Sequence, residues 1–153
     1  MVIIFIQKNR TFFDELMPLS QTFNSDYFIN FIIPKINELE LSNGFPKSRK
    51  KAYVHFDNAP PHKSSAVSET LDNYPFILLL HHPYSPDISP LDFGVFGAIK
   101  EKMPYEELVS GDELKDAITE ILNELGPDYL KKLFDEWIKR LHEVIDTNGD
   151  YVQ

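Results

Sequence analysis

Between Ala52 and Met103 the chain alternates short apolar runs with proline-rich loops, and this punctuation constrains the fold more than any other feature. Ala52–Phe56 is an apolar run of strand length that ends directly at Asp57, and Asn58-Ala59-Pro60-Pro61-His62 after it is a rigid loop. A short helix from about Ser64 to Asn73 follows, with Val67 and Leu71 on one face. Phe76–Leu80 is continuously apolar, which predicts a strand buried on both faces. His82-Pro83-Tyr84-Ser85-Pro86-Asp87 holds too much proline for regular structure. Ser89-Pro90 then fits a helix start, with Ser as the cap and Pro at the first position. That helix is expected to reach about Met103, with Asp92 in its first turn and Phe93, Phe96 and Ile99 on its buried side.

On either side of this unit the patterns are simpler. Val2–Ile6 and Thr11–Met17 are apolar runs separated by Gln7-Lys8-Asn9-Arg10, the pattern of a hairpin closed by Pro18. Asn24, Ser25 or Asp26 can cap a helix whose apolar residues are Tyr27, Phe28, Phe31, Ile32, Ile36 and Leu39; Pro34 inside it predicts a kink or a break. Ser42–Lys51 is a polar loop. Near the carboxyl end, Leu114, Ile118, Ile121, Leu122 and Leu125 define one helical stripe, ended by Gly126-Pro127. Leu130, Phe134, Trp137, Ile138, Leu141 and Ile145 define another, stopped by Asn148-Gly149. Two hairpin strands, a helix, then strand–helix–strand–helix make an α/β chain with a mixed sheet.

A chain of 153 residues, 42% of them apolar, suffices for one domain with a sizeable core. No apolar run approaches the roughly 20 residues that span a bilayer, and the opening MVIIFI lacks the features of a secretory signal, so no membrane partner is expected. The absence of cysteine excludes disulfides, iron–sulfur clusters and thiol catalysis. A net charge of −9 argues against nucleic acid on average, but the charge is unevenly placed. Residues 1–60 carry 7 basic and 6 acidic side chains, residues 61–103 carry 3 and 5, and residues 104–153 carry 5 and 13. The acidity belongs to the last third.

Two aspartates stand where α/β folds place their chemistry. Asp57 closes a strand, and Asp92 opens a helix that follows another strand. Carboxylates without a cysteine or three-histidine set suit Mg2+ or Mn2+, ions that serve phosphoryl chemistry. The plainer alternative is that Asp57 starts a turn and Asp92 is a first-turn acid favoured by the helix dipole.

The segments His55-Phe56-Asp57-Asn58-Ala59-Pro60-Pro61-His62 and Pro83-Tyr84-Ser85-Pro86-Asp87-Ile88-Ser89-Pro90-Leu91-Asp92 closely resemble the catalytic core of mariner-type transposases. These belong to the DDE/D superfamily with an RNase H-like fold. Thirty-four residues lie between Asp57 and Asp92, the interval between the family's second and third catalytic aspartates. Phe13-Asp14-Glu15-Leu16-Met17-Pro18 through Asn24-Ser25-Asp26-Tyr27 looks like the family's third strand and next helix, and Trp137…Arg140…Ile145…Asn148-Gly149-Asp150-Tyr151 looks like its carboxyl terminus. The resemblance implies an RNase H-like core over 1–103 and acidic helices over 104–153 packed on the same domain. It further implies metal-dependent DNA cleavage and joining, transposon-end DNA as partner, a possible homodimer and work in the nucleus.

The family's first catalytic Asp would precede Val2, and Asp14 and Glu15 are not counted as its replacement. The expectation is therefore a fragment, inactive or nearly so alone, whose hairpin and central strand pair either join directly or leave an edge unpaired. The rival is a non-catalytic module that retains a DNA-binding or self-association surface. Asn58 can orient Asp57 or contact substrate, His62 is a candidate substrate contact beside Asp57, and Lys50 and Lys51, with Lys47 and Arg49, are candidate phosphate contacts. His55 and His81 are expected to support the fold, Asp87 to bond nearby backbone amides in its turn, and Trp137 to anchor the core.

Overall fold

The computed structural model describes residues 1–8, 10–18, 20–42, 52–104, 106 and 110–152. The basic run with Lys50 and Lys51 lies outside them. The strands β1 (Val2–Gln7), β2 (Arg10–Leu16), β3 (Ala52–His55) and β4 (Phe76–Leu79) form two two-stranded sheets rather than one of four strands. β1 and β2 are antiparallel with an irregularity between Phe5 and Ile6; β3 and β4 are parallel, pairing Ala52 with Phe76 and His55 with Leu79. The chain divides into two compact units, residues 1–18 with 85–153, and residues 19–84.

In the first unit the expected hairpin forms, and Val2, Ile4 and Ile6 pack on the core because alternate strand residues share a face. That core joins Val95, Ile99 and Met103 to Ile118, Ile121, Leu122, Leu130 and Leu133. Lys8 in the hairpin turn pairs with Asp135 at 2.5 Å, and its ammonium holds the Asp135 carboxyl below the ordinary range. The acidic third is one long element, α5 (Gly111–Asp146), broken as expected at Gly126, whose φ of 67° and ψ of 176° suit glycine alone. Its start carries a capping box: the Ser110 hydroxyl accepts from the Glu113 N–H, and the Glu113 carboxylate accepts from the Ser110 N–H. Asn148 and Gly149, both at positive φ, end it.

Before it, a π-helical turn (Leu91–Val95) leads into α4 (Phe96–Lys102). The turn inserts a residue, so Val95 and Ile99 face the core while Phe96 lies outside, contrary to the expected stripe. A Cβ at Gly94 would collide with Leu133 Cδ1, which is why glycine stands where this helix approaches α5. In the second half of α5 the buried face runs through Leu130 and Leu133, with Phe134 and Trp137 half-buried edge to face at 5.7 Å; Ile138 and Ile145, expected inside, are exposed.

The second unit begins with α1 (Ser25–Tyr27), capped by the Asn24 side chain, which accepts from the Tyr27 N–H at 2.9 Å. A π-turn (Phe28–Ile32) and α2 (Ile33–Ser42) continue it. Pro34 neither breaks nor ends the helix; the wider turn precedes a residue that has no N–H to offer. The same slip buries Ile33 completely and leaves Phe31 exposed, stacked on Tyr27. β3 ends ahead of a 3₁₀ turn (Pro60–His62), and α3 (Ser65–Asp72) buries Val67 and Leu71 as expected, with Ser64 as its cap. β4 is not buried on both faces. Phe76 lies in the core, but Ile77 is 36% exposed beside its ladder partner Tyr53 at 69%, because the two-stranded sheet leaves that face open to solvent.

Candidate functional site

Asp57 comes two residues after the last ladder position of β3, where the chain turns through Asn58 to Pro61. Its Oδ1 accepts the Ala59 N–H at 3.0 Å, a side-chain turn that fixes the loop locally. The same oxygen takes a second bond, from His62 Nδ1 at 2.7 Å. Oδ2 has no protein partner among the described residues. The carboxylate is exposed, with 61% of its side-chain surface in solvent, whereas His62 retains 15%. The imidazole sits among Phe28, Phe56 and Phe23, with ring centroids 4.8, 5.2 and 5.5 Å away. The site thus consists of an open carboxylate and a sheltered donor.

A cleft of about 370 Å³ runs beside it, lined by Asp57, Asn58, His62, Lys63, Ser64, Ser68 and His81 together with the β4 leucines. Parallel pairing makes this possible, since β3 and β4 end on the same side. Asn58 Nδ2 donates to the His81 carbonyl at 2.7 Å and so ties the two strand ends together; it does not bond Asp57. His55 Nε2 and His81 Nδ1 meet at 3.1 Å. Burial pushes the His55 imidazole down to about 4, the neighbouring His81 adds to that, and the negative Asp57 partly opposes it. His55 is therefore a neutral ring at neutral pH, in keeping with a role in the fold. His82 is exposed and bonds the Pro83 carbonyl, so the adjacent histidines do not form a chelating pair.

In the other unit, Asp92 lies exposed in the first turn of its helix, its N–H bonded to the Ser89 carbonyl at 3.0 Å. The turn ahead of it is built differently from expectation. Pro86–Ile88 form a 3₁₀ turn, regular structure that Pro86 tolerates because its missing N–H falls at the first position. Asp87 does not bond nearby amides. It is buried, 6% exposed, and its Oδ2 accepts the N–H of Val152, 65 residues on, at 2.9 Å. Its carbonyl accepts from Arg140 Nη1 at 3.0 Å, and the Arg140 guanidinium lies over the Phe93 ring at 4.4 Å. Sequence reasoning noted Asp87 and Arg140 separately and missed the bond between their segments. The only available signal was that both fall in family-like motifs.

Among the described residues no group of three or more His, Asp or Glu side chains gathers as a metal site, and no helix is long and apolar enough to cross a membrane. The oxygen chemistry of Asp57, with one oxygen left unbonded, fits a hard divalent cation.

No family model matches the chain. It is 26% identical over 104 residues to the human histone-lysine N-methyltransferase SETMAR, covering 68% of this chain and 15% of that protein. It is 21% identical to the mariner Mos1 transposase of Drosophila mauritiana across all of this chain and 45% of that protein. The chain thus spans less than half of these curated relatives. Among solved structures, the Mos1 transposase catalytic domain with raltegravir and Mn superposes with a TM-score of 0.89 at 20% identity, covering 99% of this chain and 76% of that one. The Mos1 paired-end complex with the left transposon end gives 0.87 at 21% identity, covering 99% and 44%. The fold is the RNase H-like fold of the Mos1 transposase catalytic domain, and the sequence is similar to that of a mariner transposase along its whole length.

Proposed function

We propose that this chain works as part of a mariner-type catalytic domain that cleaves and joins DNA strands at transposon ends, with Asp57 and Asp92 as ligands of Mg2+ or Mn2+. The observation that carries the proposal is the Asp57 carboxylate, exposed at a strand end with Oδ1 held by two donors and Oδ2 left over. The thirty-four-residue interval to Asp92 and the exposure of that residue support it.

A bound divalent ion supplies a polarised water or 3′-hydroxyl and stabilises the leaving oxygen. The protein's own contribution is to hold Asp57 rigid, to place Asp92 on a helix pinned through Asp87, and to offer a cleft with Lys63 at its rim. Asn58, Lys50 and Lys51 remain proposed contacts to DNA, and the nucleus the proposed compartment. Two carboxylates are fewer than two-metal cleavage uses, so the chain alone is expected to bind metal weakly and to cut slowly or not at all.

The test is Mn2+ titration of the full chain, with and without terminal-repeat DNA. Binding that falls at least tenfold in both Asp57→Asn and Asp92→Asn is expected. Absence of Mn2+ binding, or binding that neither substitution weakens, refutes the proposal. DNA binding that persists in the double variant without metal dependence would establish the non-catalytic module instead.

A further inference from the structure

We infer that His62 is the positioning residue for the Asp57 carboxylate, holding Oδ1 so that Oδ2 is presented to the cation. This rests on the reading of Asp57 as a metal ligand, and it assigns His62 a different role from contact with substrate.

A carboxylate only accepts hydrogen bonds, so at 2.7 Å the proton lies on His62 Nδ1, and the imidazole is the donor. The Ala59 N–H already satisfies Oδ1 at 3.0 Å, which is all that a loop-starting aspartate needs. A second donor on the same oxygen leaves the carboxylate with one orientation, since rotation about its last torsion would break both bonds together.

The burial pattern gives the direction of the effect. The donor is the sheltered partner and the acceptor the exposed one, 15% against 61% of side-chain surface. Phe23 meets the imidazole edge-on at 82°, while Phe28 and Phe56 close other sides. The backbone is held as well: the His62 N–H bonds the Ala59 carbonyl at 2.9 Å, and Ser25 Oγ donates to the Pro61 carbonyl at 3.2 Å, fastening the loop to α1. The core therefore places the donor, and the donor places the ligand. Outer partners that orient a metal ligand typically set 10–100-fold in metal affinity.

Two substitutions separate orientation from packing. His62→Phe keeps a ring among the phenyl groups and removes the donor; His62→Asn puts an amide N–H near the Nδ1 position and removes the ring. Mn2+ affinity of the full chain, read by water-proton relaxation, is compared with the thermal midpoint. The expected result is that His62→Phe keeps its midpoint yet binds Mn2+ about 10–100-fold more weakly. His62→Asn melts earlier yet keeps its affinity within about threefold of the parent at a temperature where it is folded, since its amide still supplies the orienting donor. Parent-like affinity in His62→Phe, or affinity that follows the melting temperature across the pair, overturns the inference while leaving Asp57 a ligand. Failure of the parent chain to bind Mn2+ overturns both readings.

Discussion

Removing the Asp87 carboxylate tests how the carboxyl-terminal tail is held. In the folded chain Asp87 Oδ2 accepts the Val152 N–H at 2.9 Å, and Val152 itself is 4% exposed. After Asp87→Ala the tail has two courses. If it stays, a buried N–H loses its partner, at about 1–3 kcal/mol. If it leaves, the N–H is rehydrated but the burial of a valine side chain is lost, about 1.5–3 kcal/mol, along with the bond. The cheaper course governs, so about 1–3 kcal/mol is expected in urea unfolding followed by circular dichroism. Deleting residues 152 and 153 is expected to cost more, about 3–5 kcal/mol, because the burial of the valine side chain is lost together with the donor to a carboxylate whose Oδ1 already lacks one among the described residues. Combining the two changes discriminates. In the shortened chain Asp87→Ala should cost nothing or restore stability, since it removes the stranded charge. An equal cost of Asp87→Ala in both backgrounds would refute the reasoning, because Asp87 would then act without the tail.

Two further outcomes follow from local geometry. The His55 ring in the folded state takes up its proton only near pH 4, whereas the unfolded chain does so near 6.5, so the unfolded state binds more protons in between. Stability is therefore complete above pH 6.5 and declines as the pH falls to 4, by about 1–2 kcal/mol once partial solvent access to the ring is allowed for. Urea midpoints across this range should show a shallower loss in His55→Gln than in the parent. Gly126→Ala has open space for its methyl group, so its cost is purely that of the backbone at φ 67°, about 1–3 kcal/mol by the same assay.

Much of the fold was legible because its signals are local. The hairpin, the helix starts near Ser64 and among Asn24, Ser25 and Asp26, the break at Gly126 and the stop at Asn148-Gly149 each depend on a few adjacent residues. Helix faces were less legible. Both π-turns slip the register, so a period of 3.6 assigned Phe31 and Phe96 to the core and overlooked Ile33 and Val95. The exposed face of β4 was hidden for another reason: Phe76–Leu79 has an apolar composition that does not reveal how many strands cover it. At the candidate site, the family resemblance is what singles out Asp57, Asn58 and His62, but the direct His62 bond requires the 3₁₀ turn that brings the ring back. The Asp87–Val152 bond spans 65 positions, and no local pattern encodes it.

The parallel ladder has a practical corollary. With the carboxylate and the imidazoles gathered at one pole of β3 and β4, the opposite pole, where the Ala52 N–H meets the Pro75 carbonyl, carries none of these groups among the described residues. Asn73, exposed in the connection that enters β4, is therefore an attachment point for a fluorescent reporter or surface tether that would follow the folding of this unit away from Asp57, at the cost of the one bond its Nδ2 donates to the Glu69 carbonyl.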